Sequence, residues 1–141
     1  LMLNPNAEQL AQKTCAACEG GVPKLSPDEV ARLLIAIDGW KLTHDGQRIR
    51  REWRVKDFAT GVEFLDRVAQ IAEDEWHHPD LHLEGFRNVW IEIWTHAIGG
   101  LSENDFILAA KNDRLAGDAT GHSQRFQKVI GSPARSPNNG N

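Results

Sequence analysis

The segment FRNVWIEIWTH, residues 86–96, alternates between two kinds of side chain. A period of two is the mark of a β-strand, because successive side chains leave opposite faces. Val89, Ile91, Ile93 and Thr95 form a core-like row. Phe86, Asn88, Trp90, Glu92, Trp94 and His96 form a mixed one. Such a strand belongs to a sheet with one covered face and one open or subunit-contacting face. A second stretch, GWKLTHDGQRIRREWRV, reads as a hairpin turning at His44–Gln47. On its second arm Ile49, Arg51, Trp53 and Val55 alternate with Arg48, Arg50, Glu52 and Arg54.

Helices must cover the apolar rows. LSPDEV and LSENDF share one start signal: an apolar staple residue, a Ser cap and an acid three residues later. The staple pairs are Leu25 with Val30 and Leu101 with Phe106. The first helix continues through Leu33, Leu34 and Ile37 and stops at DGW; the last runs from about Glu103 to Leu115. Between them, Asp57 caps a longer helix in which Phe58, Val62, Leu65, Ala69 and Ala72 form one stripe. Phe64, Val68 and Ile71 widen it, as on a helix covered on more than one side. It should end near Trp76, because Pro79 disfavours helical geometry at His78. The order α-β-β-α-β-α is that of an α+β domain, with three helices on one face of a small antiparallel sheet.

At 141 residues the chain is one domain with tails: an arm over 1–24, a body over 25–116 and a tail over 117–141. The tail is rich in Gly, Ser, Pro and Asn and is expected to be largely mobile. A net charge of −4 gives no pull toward nucleic acid or anionic lipid. No run approaches the roughly 20 apolar residues of a membrane span. The first residues lack the basic and apolar regions of a signal peptide. Cys15 and Cys18, in CAAC, cannot alone complete a tetrahedral zinc site. They are read as a reduced pair in a docked N-terminal arm of a cytoplasmic protein.

Four of the six histidines lie between His77 and His96. A metal site is disfavoured: Pro79 breaks the helical spacing of His78 and His82, and no cysteine is near. No metal and no cofactor is expected. Acid–base chemistry asks for less. Imidazoles exchange protons near neutral pH, and a dehydration must deliver one proton and remove another. His77 and His78 sit at a helix exit and His96 at a strand end, where packing can bring them together. Ordinary surface histidines at element ends remain the competing reading.

These residues resemble the pterin-4a-carbinolamine dehydratase family. Glu73, three residues, then His77, His78 and Pro79, followed by Phe86, His96 and Asp105, meet its motif at allowed spacings. Gly39–Trp40, THAIGGLSENDF and CAACEGGVPKLS add to the likeness, which covers about Cys15 to Arg114. The resemblance implies a four-stranded sheet, the fourth strand lying near Leu81–Leu83. It implies removal of water from a 4a-hydroxytetrahydropterin to give quinonoid dihydropterin. His77 and His96 would be the acid–base pair, and His78 would bind and orient. Glu73 would orient a histidine or hold the pterin, and Phe86 would stack on its ring or pack. Asp105 has two readings, family acid and capping-box carboxylate, of which capping is favoured. The resemblance also implies a homodimer or homotetramer, which would account for Trp90 and Trp94 on an open sheet face. Two rivals keep the fold: a non-catalytic oligomeric co-regulator module, and a pterin-handling role in molybdenum-cofactor metabolism.

Overall fold

The computed structural model describes residues 5–17 and 21–117. Cys18 and the tail beyond Gly117 lie outside them. The elements run α1 (Ala7–Ala11), α2 (Pro27–Ala36), β1 (Lys41–Thr43), β2 (Arg48–Arg54), α3 (Phe58–Glu75), β3 (Asp80–Glu84), β4 (Asn88–Ile93) and α4 (Glu103–Gly117). The four strands form one antiparallel sheet in the order β1-β2-β4-β3. This is the expected α+β architecture, and β3 is the fourth strand near Leu81–Leu83.

The caps form as the sequence dictates. Ser26 and Glu29 close a reciprocal box at the start of α2, and Asp57 accepts from the Thr60 N–H at the start of α3. One cap was not foreseen. Asn6 and Gln9 form a second box that starts the short helix α1, whose Leu10 is fully buried in the common core. Five residues are too few for a periodic stripe to show.

The core is the odd-numbered sheet row packed on the helices. Ile49, Trp53, Val55, Val89, Ile91 and Ile93 meet Leu33, Phe64, Val68, Phe106 and Leu108. Trp53 makes edge contacts with both Trp40 and Phe64. On α3 the buried residues are Thr60, Gly61, Phe64, Val68 and Ala72. Phe58 and Val62, expected to be covered, are 55% and 48% exposed. Leu65 and Ile71 still pack against the core and Ala72 is buried, so the outward part of the apolar face is its start, at Phe58 and Val62. The even sheet row is not bare: the guanidiniums of Arg48 and Arg50 lie over the Trp94 and Trp90 rings at 4.1 and 4.7 Å.

The third predicted strand is shorter than its alternation suggested. It begins at Asn88, and Phe86 lies in the β3–β4 turn with φ +53°. Gly85, at φ +57°, shares that turn. Two successive left-handed residues close the hairpin where extended backbone was expected.

Candidate active site

The helix α3 ends in a Schellman turn, in which a left-handed residue reverses the chain and its neighbours bond back to the last carbonyls. Trp76 takes the left-handed conformation, with its N–H on the Glu73 carbonyl, and the His77 N–H bonds to the Ala72 carbonyl at 3.1 Å. Glycine usually fills this place, because a bulky side chain is strained at positive φ. The turn carries the chain off the helix axis and sets His77 inward, where it is 5% exposed.

There His77 meets α4. Its Nε2 lies 2.6 Å from Asp105 Oδ1. A carboxylate only accepts, so the proton of this bond belongs to Nε2. The other oxygen, Oδ2, accepts from the Thr95 hydroxyl at 2.8 Å and from the Ser102 N–H at 2.9 Å. The Thr95 and Ser102 hydroxyls are themselves 2.7 Å apart. Thr95, Ser102 and Asp105 are all buried. Asp105 therefore takes the anticipated capping role with one oxygen, and with the other holds an imidazole, a contact that the sequence reading did not assign to it. Being fully buried, it holds His77 rather than reaching a ligand itself.

The same carboxylate ties the strand end to the helix exit. Thr95 directly precedes His96, which opens a single 3-10 turn, His96–Ile98. His96 is exposed and lies against the Trp94 ring, 4.3 Å between centroids. His78 is also exposed; its Nε2 bonds to Glu73 at 2.8 Å, and its ring meets Trp76 edge-on at 4.8 Å. The chain thus brings His77, His78, His96, Glu73 and Asp105 to one end of the β3–β4 pair.

Phe86 is not with them. Glu84 pairs with Asn88, so Phe86 sits at the hairpin tip, and the whole of β4 separates it from Thr95. At about 3.3 Å per residue that is roughly 20 Å. Stacking of Phe86 beside these imidazoles does not occur within one chain. A groove of about 1200 Å³ lies elsewhere, between the N-terminal arm and α2, with no histidine in its lining. Sequence reasoning placed Thr95 in the core row and Ser102 at the helix cap, but missed that their hydroxyls meet beside Asp105. Their signal was a lone Thr closing an otherwise aliphatic row, seven residues before a cap Ser.

Among the described residues no group of three His, Cys, Asp or Glu is placed to hold a metal ion. Burial pushes the Cys15 thiol up to about 12, helped by the neighbouring Glu75 carboxylate. It is therefore a protonated thiol and not a nucleophile. Among the described residues no helix is long and apolar enough to cross a membrane.

The likeness to known proteins spans nearly the whole folded body. The family model described as pterin 4 alpha carbinolamine dehydratase matches residues 23–115. Pterin-4-alpha-carbinolamine dehydratase 2, mitochondrial, of Arabidopsis thaliana is 52% identical over 109 residues. That match takes in 75% of this chain but 58% of the relative, so the chain spans little more than half its length. A relative in Azoarcus sp. (strain BH72), named for the same dehydratase, is 41% identical over 80% of this chain and 96% of its own length. Among solved structures, a transcriptional coactivator/pterin dehydratase from Brucella melitensis superposes with a TM-score of 0.64 at 32% identity. It covers 67% of this chain and 100% of its own. A match running from the arm to the end of α4, at these identities, places the chain in the pterin 4 alpha carbinolamine dehydratase family.

Proposed function

We propose that this protein removes water from a 4a-hydroxytetrahydropterin, giving quinonoid dihydropterin. The C4a–O bond breaks as a proton joins the departing hydroxyl, and a second proton leaves the ring nitrogen. Two groups must share these transfers. His96, exposed at the strand end, and His77, oriented by Asp105, are the acid–base pair. His78, tied to Glu73, binds and orients the substrate. The observation that carries this reading is the shared Asp105 carboxylate, which holds His77 and the residue preceding His96 at once. Positioned proton transfer contributes on the order of 10²–10⁴-fold. His77→Ala and His96→Ala should therefore each slow turnover by about that factor without abolishing it. A rate equal to wild type in either variant would refute the assignment of the pair.

A homo-oligomer belongs to the same proposal. Its support is the apolar row at the start of α3, where Phe58 and Val62 are about half exposed. A cytoplasmic location is kept with it, although the Arabidopsis relative is named mitochondrial. A binding role is the second reading, favoured by that apolar row and by the coactivator description of the Brucella protein. Such a role needs the surface and not the histidines, so a partner interaction that survives His77→Ala would separate the two.

A further inference from the structure

The N-terminal arm reaches the two elements that meet in the histidine–carboxylate pair. Leu10 and Ala11 anchor it in the core, at 0% and 3% exposure. Beyond them the Cys15 N–H bonds to Glu75 Oε1 at 2.8 Å. The next residue clasps the Asn104 amide: the Ala16 N–H bonds to Oδ1 at 2.9 Å, and Nδ2 donates to the Ala16 carbonyl at 2.8 Å. Asn104 is 3% exposed. Lys111 of α4 joins the same cluster, donating to the Ala11 carbonyl at 2.8 Å and lying 3.5 Å from Glu75.

The sequence positions of these ties matter. Glu75 is the last residue of α3 and stands two before His77; Asn104 immediately precedes Asp105. Most of this arm lies ahead of residue 23, where the family match begins. We infer that Cys15–Ala16 is a strap that fixes the end of α3 against the start of α4, which makes Asn104 and Glu75 positioning residues for the His77–Asp105 pair. The two helices also share the core and the Lys111–Glu75 pair, but the 2.6 Å bond between their meeting ends keeps its geometry only if those ends are held in place. Backbone groups of consecutive residues, bonded to one side chain on each element, supply that restraint. The kinetic part of this inference rests on the dehydratase reading; the geometric part does not.

The test uses the full chain carrying Asn104→Ala, with exchange of the His77 ring N–H followed by NMR against backbone amides of β4. A loosened pair should exchange that proton at least about tenfold faster while the β4 amides stay as in wild type; kcat should fall about tenfold with KM little changed, since misplacement near 1 Å can cost up to 10²-fold. Lys13→Ala breaks only the exposed pair with Glu103 and should leave both readouts unchanged. If Asn104→Ala does not fold, Glu75→Ala removes the other tie and is read in the same way. Ring exchange equal to wild type in a folded variant overturns the strap. Faster exchange with unchanged kcat overturns its part in catalysis. If wild type turns over no pterin, the dehydratase reading fails, and the exchange measurement still decides whether the strap exists.

Discussion

The two oxygens of Asp105 face different neighbours, and that division predicts two different failures. In Asp105→Asn the amide oxygen can still accept from Ser102 and Thr95, as Oδ2 does now. Its NH₂ must then face His77 Nε2, which forces the proton to the other ring nitrogen. Folding should persist by circular dichroism, while kcat falls by about 10²–10⁴-fold, the worth of a positioned proton transfer. Asp105→Ala instead leaves His77, Thr95 and the Ser102 N–H facing an empty buried site, and should cost about 3–5 kcal/mol in denaturant unfolding. Near-equal stability of the two variants would contradict this division. Asp105 was legible in the sequence because a capping box fixes its place. Thr95 was not, because a threonine at a strand end fits an apolar row without any visible partner. Phe86 was misplaced because it precedes the strand that leads to His96, and extended backbone between the two carries its ring to the far end of the hairpin.

At the scale of elements, the hinge between α2 and β1 depends on Gly39. Its φ is +97°, and a Cβ there would stand 2.7 Å from Arg51 Cζ. Arg51 cannot move aside without loss, since it donates to the Asp38 carbonyl at 2.9 Å and to Asp113 at 3.1 Å. Gly39→Ala should therefore destabilise the fold by about 1–3 kcal/mol, the usual cost of one residue in such a region. A melting temperature equal to wild type would show that the turn relaxes freely. The long elements were readable because caps, stripes and alternation agreed with one another. α1 was not, being shorter than one stripe. The breadth of the apolar face on α3 was read as burial on two sides. Periodicity reports only that a row is apolar, not what covers it, and here Phe58 and Val62 face outward.

Across the whole molecule, two carboxylates pull the pH dependence of stability in opposite directions. Burial raises Asp113 from 3.8 to about 6, against the opposing pull of Arg51 and Trp40. The folded form then holds a proton that the unfolded form releases, so this contribution is fully present below about 4 and is lost as pH rises through about 6. Glu92 is the reverse: burial raises it, but hydrogen bonds from Thr43 and Arg48 and nearby positive charge leave it lowered overall. Its contribution is present above its unfolded value and is lost as pH falls through the folded one. Asp113→Asn should flatten the fall in stability between pH 4 and 6. An unchanged pH–stability curve would show that Asp113 stays ionised beside Arg51. The proposed function rests on imidazoles from a helix exit and a strand end acting on one substrate. The most direct measurement is the rate of dehydration of 4a-hydroxytetrahydropterin by wild type, His77→Ala, His96→Ala and the double variant. Shared chemistry predicts that each single change slows the reaction and that the double change costs less than the product of the two. Wild-type rates in either single variant would contradict it.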